Sequence, residues 1–249
     1  MSSLHRLAAQ GFTRPDTYER GRPEYPPPVV TWIGHIFRLH PSSVVVDLAA
    51  GTGKLTRRLH TLGTRLIAVE PSAEMRASLS AALPDVRAVA GTAESMPLAD
   101  QSADAVTVAQ AFHWFKGPEA LREIARVLRP SGGLAIVFNR RDLTQPIQAE
   151  LERIMAGYNR GAPEHRNERW RAALDDTRLF EPIGEQRVRN QQVLDPAALV
   201  DRVLSVSFMA TLPDAERARV AERVDALGAA HGGTVTLDYM TEVYALART

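Results

Sequence analysis

At 249 residues and 27.3 kDa, the chain suits one large α/β domain with a sizeable core. A formal net charge of +1, 24% charged residues and no run of five like charges give no electrostatic case for nucleic acid. The absence of cysteine excludes disulfides, thiolate metal sites and cysteine nucleophiles, and fits a reducing, cytoplasmic setting.

The opening residues, M-S-S-L-H-R-L-A-A-Q, hold no apolar stretch long enough for a signal peptide, and nowhere do eighteen apolar residues run together, so no membrane segment is expected. Residues 11 to 28 are rich in Pro, Arg and aromatics. Four prolines between Pro23 and Pro28 argue against a regular helix or central strand there and for an extended arm or short turns. Val29, Ile33, Ile36 and Phe37 then form the apolar stripe of a helix that Pro41 ends.

The stretch Val44 to Thr56, V-V-V-D-L-A-A-G-T-G-K-L-T, reads as a buried parallel strand, a tight glycine turn and a helix carrying Leu55, Leu59 and Leu62. Such a junction lets a ligand approach bare backbone N–H groups at Gly51 and Gly53. A dinucleotide fingerprint would want a third glycine where Thr56 stands, and it would not want the carboxylate of Asp47 beside the turn. A negative side chain there suits an ammonium or a sulfonium. Glu70 closes the next strand, Arg65 to Glu70, at the spacing where an acid accepts hydrogen bonds from both ribose hydroxyls. The ligand implied is a nucleoside with a positively charged tail.

Ser72 is a plausible N-cap for a helix with Met75, Leu79 and Ala82 on one face. Val86 to Ala90 reads as a third strand, Gly91 to Pro97 as irregular, and Ala105 to Ala109 as a fourth strand. From Pro118 a helix presents Leu121, Ile124, Val127 and Leu128 inward, until Arg129-Pro130-Ser131-Gly132-Gly133 turns it into a fifth strand, Leu134 to Phe138. Alternation of strand and helix with right-handed crossovers predicts an open parallel sheet, covered on both faces, with ligands at the carboxyl ends of its strands.

Beyond this, Ile147, Leu151, Ile154, Met155 and Tyr158 give one helix, and the charged run Glu164 to Arg171 belongs to another. Glu185 to Val193 is a candidate sixth strand, Asp195 and Asp214 are candidate N-caps, and Val235 to Leu237 with Glu242 to Leu246 suggest a final antiparallel pair. The expected organisation is a single domain: an arm and helix over 1–40, a cofactor-binding core over 41–139, a helical insertion over 140–184 and C-terminal strands and helices over 185–249. The insertion is where substrate choice should be made.

Taken in order, V-V-D-L-A-A-G-T-G-K-L-T, A-V-E-P-S-A-E-M, G-T-A-E-S-M-P-L, A-F-H-W-F and L-R-P-S-G-G, behind an N-terminal Y-x-x-x-R-P-x-Y-P segment, resemble the small-molecule branch of the class I S-adenosylmethionine-dependent methyltransferases. The resemblance covers Tyr18 to Asn139, a little under half the chain. It implies a doubly wound α/β fold of the Rossmann-like kind, with a mostly parallel seven-stranded sheet and helices on both faces. It also implies S-adenosyl-L-methionine as cofactor and methyl transfer to an oxygen, carbon or nitrogen of a small molecule.

The cofactor-binding residues implied are Tyr18, Arg22, Asp47, Ala49, Gly51, Gly53, Glu70, Pro71, Met75, Thr92, Ala93, Glu94 and Gln110. Within this set the arm becomes a lid whose Tyr18, Arg22 and Tyr25 close the pocket. Thr92, Ala93 and Glu94 would face the adenine, while Tyr25 and Trp114 would meet the substrate. Trp114 and Phe115 can form an apolar wall or shelter a sulfonium. His113 stands where a general base would be wanted, although a preformed nucleophile such as a carboxylate needs none.

Each of these residues also has a plainer reading: Asp47 as a turn cap, Met75 as core, the aromatics as packing beneath a lid. Metal sites are not supported, since no His/Glu pair sits at ligand spacing on a helix and Asp100 and Asp104 precede the fourth strand. The missing G-x-S-x-G removes a hydrolase elbow. Two rivals remain: a nicotinamide-dependent oxidoreductase on a related fold, and a nucleoside-binding regulator without catalysis. The expected partner is a small-molecule substrate, with no nucleic acid and no membrane, and with a homodimer left open.

Overall fold

Alternation of apolar side chains along the central strands decides the architecture. Every residue of Val44–Leu48 (β1) is buried, yet Val46 and Leu48 join one apolar cluster and Val45 another. In Ala103–Ala109 (β4), Val106 and Val108 face one side and Ala105 the other; in Leu128–Arg141 (β5), Leu134, Ile136 and Phe138 oppose Ala135 and Val137. Strands apolar on both faces need helices on both.

The structure, a computed structural model, describes residues 14–159 and 170–249. Arg65–Val69 (β2), Arg87–Val89 (β3), Phe180–Leu194 (β6) and Val235–Arg248 (β7) complete a seven-stranded sheet in the order β3-β2-β1-β4-β5-β7-β6. Strands β1 to β5 are parallel, and β7 runs antiparallel between β5 and β6. From β1 the chain steps outward to β3 and then returns to β4. The order therefore reverses between β1 and β4, and that reversal opens a crevice at their carboxyl ends. This is the mostly parallel, doubly wound sheet expected from the sequence.

One face carries Pro27–Ile36 (α2), Lys54–Leu59 (α3) and Ala73–Ala82 (α4), through Val29, Ile33, Leu55, Leu59 and Leu79. Gly117–Val127 (α5) and Trp170–Thr177 (α7) cover the other, through Leu121, Ile124 and Leu174. A third apolar cluster joins Pro146–Ala156 (α6) to Pro196–Leu204 (α8), Ser207–Ala210 (α9) and Asp214–Ala230 (α10), by way of Leu151, Leu199, Val203, Val220 and Val224. The cap thus comes from two stretches, one after β5 and a larger one between β6 and β7. Among the described residues no helix is long and apolar enough to cross a membrane.

Several local expectations need correction. The Pro-rich arm is not extended throughout, because Pro15–Gly21 (α1) is helical. Pro27 and Pro28 occupy the first turn of α2, where a missing N–H costs nothing. That helix stops at Ile36, ahead of Pro41, as Arg38 turns left-handed at φ 51°. Asp214 is the first helical residue of α10 rather than its cap, which is Pro213. The two last β candidates are one long strand, β7, paired with β5 and β6. Most of the run Glu164 to Arg171 lies outside the described residues, as do residues 11–13 of the arm. Ser72 and Asp195 do cap their helices, accepting from the N–H groups of Met75 and Ala198.

Candidate active site

Where β1 ends the backbone turns sharply, with Ala49 at φ 56°, Gly51 at 59° and Gly53 at 88°. Glycine adopts these angles freely, whereas alanine is strained there. Gln110, just past the tip of β4, has φ 57°. Because β1 and β4 are neighbours, two strained non-glycine residues flank the point where strand order reverses. A Cβ built on Gly51 would make ordinary van der Waals contact with the Tyr18 ring, at 3.9 Å, so the arm lies directly over the turn. At Gly53 a Cβ would press Leu79 at 3.0 Å, so the second glycine serves close packing. Within the fold the turn's N–H groups are held at Ala50 by the Val69 carbonyl, at Gly51 by Glu70 and at Gly53 by the Ala50 carbonyl.

Both acids flank this turn. Glu70, 7% exposed, accepts from Gly51 N–H through Oε2 and from Ser72 N–H through Oε1, each at 2.9 Å. Each carboxylate oxygen keeps one acceptor position. Burial raises its pKa. Asp47, 1% exposed, accepts from the Thr56 hydroxyl at 2.5 Å and the Thr107 hydroxyl at 2.9 Å. Burial pushes its carboxyl up to about 6, against the pull of those two donors. Thr107 sits beside Asp47 in the register of β1 and β4. Asp47 therefore lies beneath the turn and fixes it from below, while Glu70 holds its edge.

The arm is fastened across this crevice by charge and by backbone contact. Glu19 of α1 accepts from the Thr52 hydroxyl at 2.6 Å and from Arg57 at 2.6 Å, and Lys54 reaches Glu24 at 2.7 Å. Asn190 of β6 donates to the Glu24 carbonyl at 2.7 Å. A Cβ on Gly21 would lie 2.4 Å from the Asp201 carbonyl oxygen, so α1 meets α8 backbone to backbone. Arg22 lies over the Tyr18 ring, 5.2 Å from its centroid, and donates to the Ser205 carbonyl at 2.8 Å. Burial, with the charge of Arg202 second, pulls Arg22 down to about 10. Tyr25 is buried in the core beneath, where burial raises its hydroxyl pKa well above the ordinary range.

Arg202 itself is 7% exposed and donates through Nε to the Tyr239 hydroxyl at 2.8 Å. Tyr239 donates onward to Gln192, which donates to the Gly21 carbonyl. Among the described residues Arg22 Nε and Arg202 Nη1 are buried without a hydrogen-bond partner.

The other residues named from the sequence have the following surroundings. Pro71 follows Glu70, and Met75 is buried at the first turn of α4. Thr92 and Ser95 exchange backbone hydrogen bonds around buried Ala93, and Glu94 accepts from Lys116 N–H at 3.1 Å. Gln110 donates to the Asn139 carbonyl at 3.3 Å. Phe112–Trp114 is one 3-10 turn, with the His113 ring 5.2 Å from Trp114 and 6.0 Å from Phe138. Burial, followed by the charge of Arg22, drives His113 down to about 3, so its ring is neutral at physiological pH and a poor proton acceptor.

Thr107, Asn139, Arg202 and Tyr239 were missed by the sequence reading. Only Arg202 left a trace, as a cation between Leu199 and Val203 on an otherwise apolar helix face. A cavity of about 730 Å³ beside Arg171, Phe180 and Tyr244 touches none of the candidate site residues named from the sequence.

Residues 46–136 match the family model described as a methyltransferase domain. An uncharacterized methyltransferase of Mycobacterium tuberculosis (strain ATCC 25618 / H37Rv) is 43% identical over 216 residues, covering 86% of this chain and 83% of the relative. Among solved structures, a protein of Anaeromyxobacter dehalogenans assigned as a type II methyltransferase superposes with a TM-score of 0.63 at 21% identity, over 90% of this chain and 97% of that one. A geranyl diphosphate C-methyltransferase of Streptomyces coelicolor A3(2), in complex with Mg2+, geranyl diphosphate and S-adenosyl-L-homocysteine, gives 0.52 at 13% identity, over 89% and 79%. These two share the fold. With the identity to the mycobacterial relative running over more than four fifths of both chains, and the matched domain spanning the turn and both acids, this chain belongs to the class I S-adenosylmethionine-dependent methyltransferase family.

Proposed function

We propose that the chain binds S-adenosyl-L-methionine in the crevice between β1 and β4 and transfers its methyl group to a small-molecule acceptor. The observation that carries this is Glu70, whose buried carboxylate is tied to Gly51 N–H at the edge of a turn covered by the Tyr18 ring. The residues fit the cofactor on several counts. Glu70 keeps acceptor positions for ribose hydroxyls, and Gly51 presents bare backbone for the amino-acid tail. Arg22, with its unsatisfied Nε, supplies a cation for the carboxylate of that tail. Thr92 to Glu94, with Met75, border the adenine side. When bound, the cofactor supplies a methyl already activated by its sulfonium.

What remains for the chain is alignment and exclusion of water. The Tyr18 ring closes the turn from above, and Trp114 with Phe138 walls the crevice beside His113. Neutral His113 can hydrogen-bond an acceptor, but with a pKa near 3 it does not serve as a general base, so the acceptor brings its own nucleophile. The absence of a third glycine, and Asp47 beneath the turn, weigh against the nicotinamide reading.

Calorimetric titration with S-adenosylhomocysteine tests the proposal. The parent should bind, and Glu70→Ala should weaken binding about 10- to 100-fold, the usual cost of losing hydrogen bonds to a charged group. No binding by the parent, or no change in Glu70→Ala, would refute it.

A further inference from the structure

We propose that Arg202 forms a receptor for a carboxylate on the methyl acceptor, beside an Arg22 that takes the carboxylate of the cofactor. The inference rests on the methyl-transfer reading and names the substrate class of the same site. Arg22 follows Gly21 at the end of α1 and Arg202 follows Asp201 on α8, the two residues at which those helices meet backbone to backbone, and each has a buried N–H that meets no partner among the described residues: Nε of Arg22 and Nη1 of Arg202. Neither is paired with a carboxylate among those residues, since Asp201 turns instead to Arg20 at 2.6 Å. Arg202 is fixed in place by its Nε bond to Tyr239, so Nη1 cannot swing out to water without breaking that bond. Uncompensated buried charge is costly, and two like charges side by side more so. A fold that keeps such a pair is holding it for an anion.

Topology places the pair at the reactive end of the sheet. Tyr239 pairs with Arg141 at the carboxyl end of β5, on the same edge as the tips of β1 and β4. Arg22 lies over Tyr18, which roofs Gly51, so the cations adjoin the cofactor crevice.

Charge then identifies the ligand. The cofactor carries one carboxylate, one ammonium and one sulfonium, so it arrives with a net positive charge. Its carboxylate can satisfy one guanidinium, and its own surplus charge leaves the site more positive. Asp47 and Glu70 lie by the turn and are engaged there. The remaining cation therefore calls for an anion on the acceptor. The one N–H then left open, Arg202 Nη1, suits a singly charged carboxylate better than a phosphate, whose three oxygens and higher charge want more donors.

The test uses the full-length protein, tritiated methyl donor and a metabolite extract separated on an anion exchanger. Methyl incorporation should follow the retained fraction, survive phosphatase treatment, and fall when its carboxylates are converted to amides. Arg202→Gln should lower kcat/KM on that fraction about 10- to 100-fold, with Arg202→Lys recovering part of it. Affinity for S-adenosylhomocysteine should stay within about threefold of the parent's, a change worth under 1 kcal/mol. Arg202→Met should melt no lower than the parent without ligand, because a structural arginine would be missed whereas an unpaired one would not.

Incorporation from the unretained fraction, loss on phosphatase treatment, or a lower melting temperature in Arg202→Met overturns the carboxylate receptor while leaving methyl transfer intact. Failure of the parent to bind S-adenosylhomocysteine defeats methyl transfer itself.

Discussion

Replacing Asp47 by asparagine isolates the cost of keeping a charge under the glycine turn. The carboxyl ionises near 3.8 in an open environment and near 6 in the folded chain, because it is 1% exposed and the Thr56 and Thr107 donors only partly offset its burial. Between those values the folded state holds a proton that the unfolded state has released, so stability falls as pH rises through this window. Above about pH 6 the full cost applies, and at roughly 1.4 kcal/mol per pKa unit it comes to about 3 kcal/mol. Asparagine keeps the shape, and the Thr56 and Thr107 hydroxyls can rotate to accept as well as donate. Asp47→Asn should therefore match the parent near pH 4 and exceed it by up to about 3 kcal/mol near pH 8, or about 5–10 °C in melting temperature for a chain of this size. Calorimetric melting of both proteins across that range, without ligand, reads the difference directly. Parallel curves would refute the reasoning, because they would mean that Asp47 ionises alike in the folded and unfolded chain.

Gly21→Ala drives a methyl into the Asp201 carbonyl, a backbone atom that cannot step aside. It should cost about 1–3 kcal/mol and weaken S-adenosylhomocysteine binding by loosening the arm; unchanged melting and affinity would show that α1 does not depend on this contact. Thr56→Val takes the shorter hydrogen bond from Asp47, so the pH at which stability falls should move above that of the parent, as read from the same melting series. Turnover of the parent should show no ionisation step near the ordinary histidine value of 6.5, since His113 is neutral down to about 3. A step there that vanishes in His113→Gln would restore His113 as a base.

The sheet was legible because its signals are local. A parallel strand buried on both faces reads as an unbroken β-branched run, and the glycine turn after β1 follows from two residues that alone accept φ near 59° and 88° without strain. Boundaries were less legible where neighbours override local preference. Leu128 already pairs with Ala103, and after a register break Gly133 opposite Ala105 resumes the ladder, so β5 begins six residues before the apolar run that announces it. The arm misled for a different reason: proline forbids a helix interior but favours a first turn, and Pro15, Pro27 and Pro28 all stand at helix starts.

The site divides along the same line. Asp47, Glu70 and the glycines belong to one strand-turn-strand unit, so their spacing along the chain is their spacing in space. Thr107 meets Asp47 only because β4 returns beside β1 after the outward steps to β2 and β3, and nothing in its own neighbourhood announces the contact. Arg202 lies farther still, 180 residues beyond Arg22, and joins it because Gly21 lets α1 press against α8. Residues that hold a ligand shared by a whole family can be recognised in one short unit. Arg202, proposed to hold the acceptor, sits on the cap, where long-range packing decides what each residue meets, and there a cation in an apolar helix face is the kind of exception worth following.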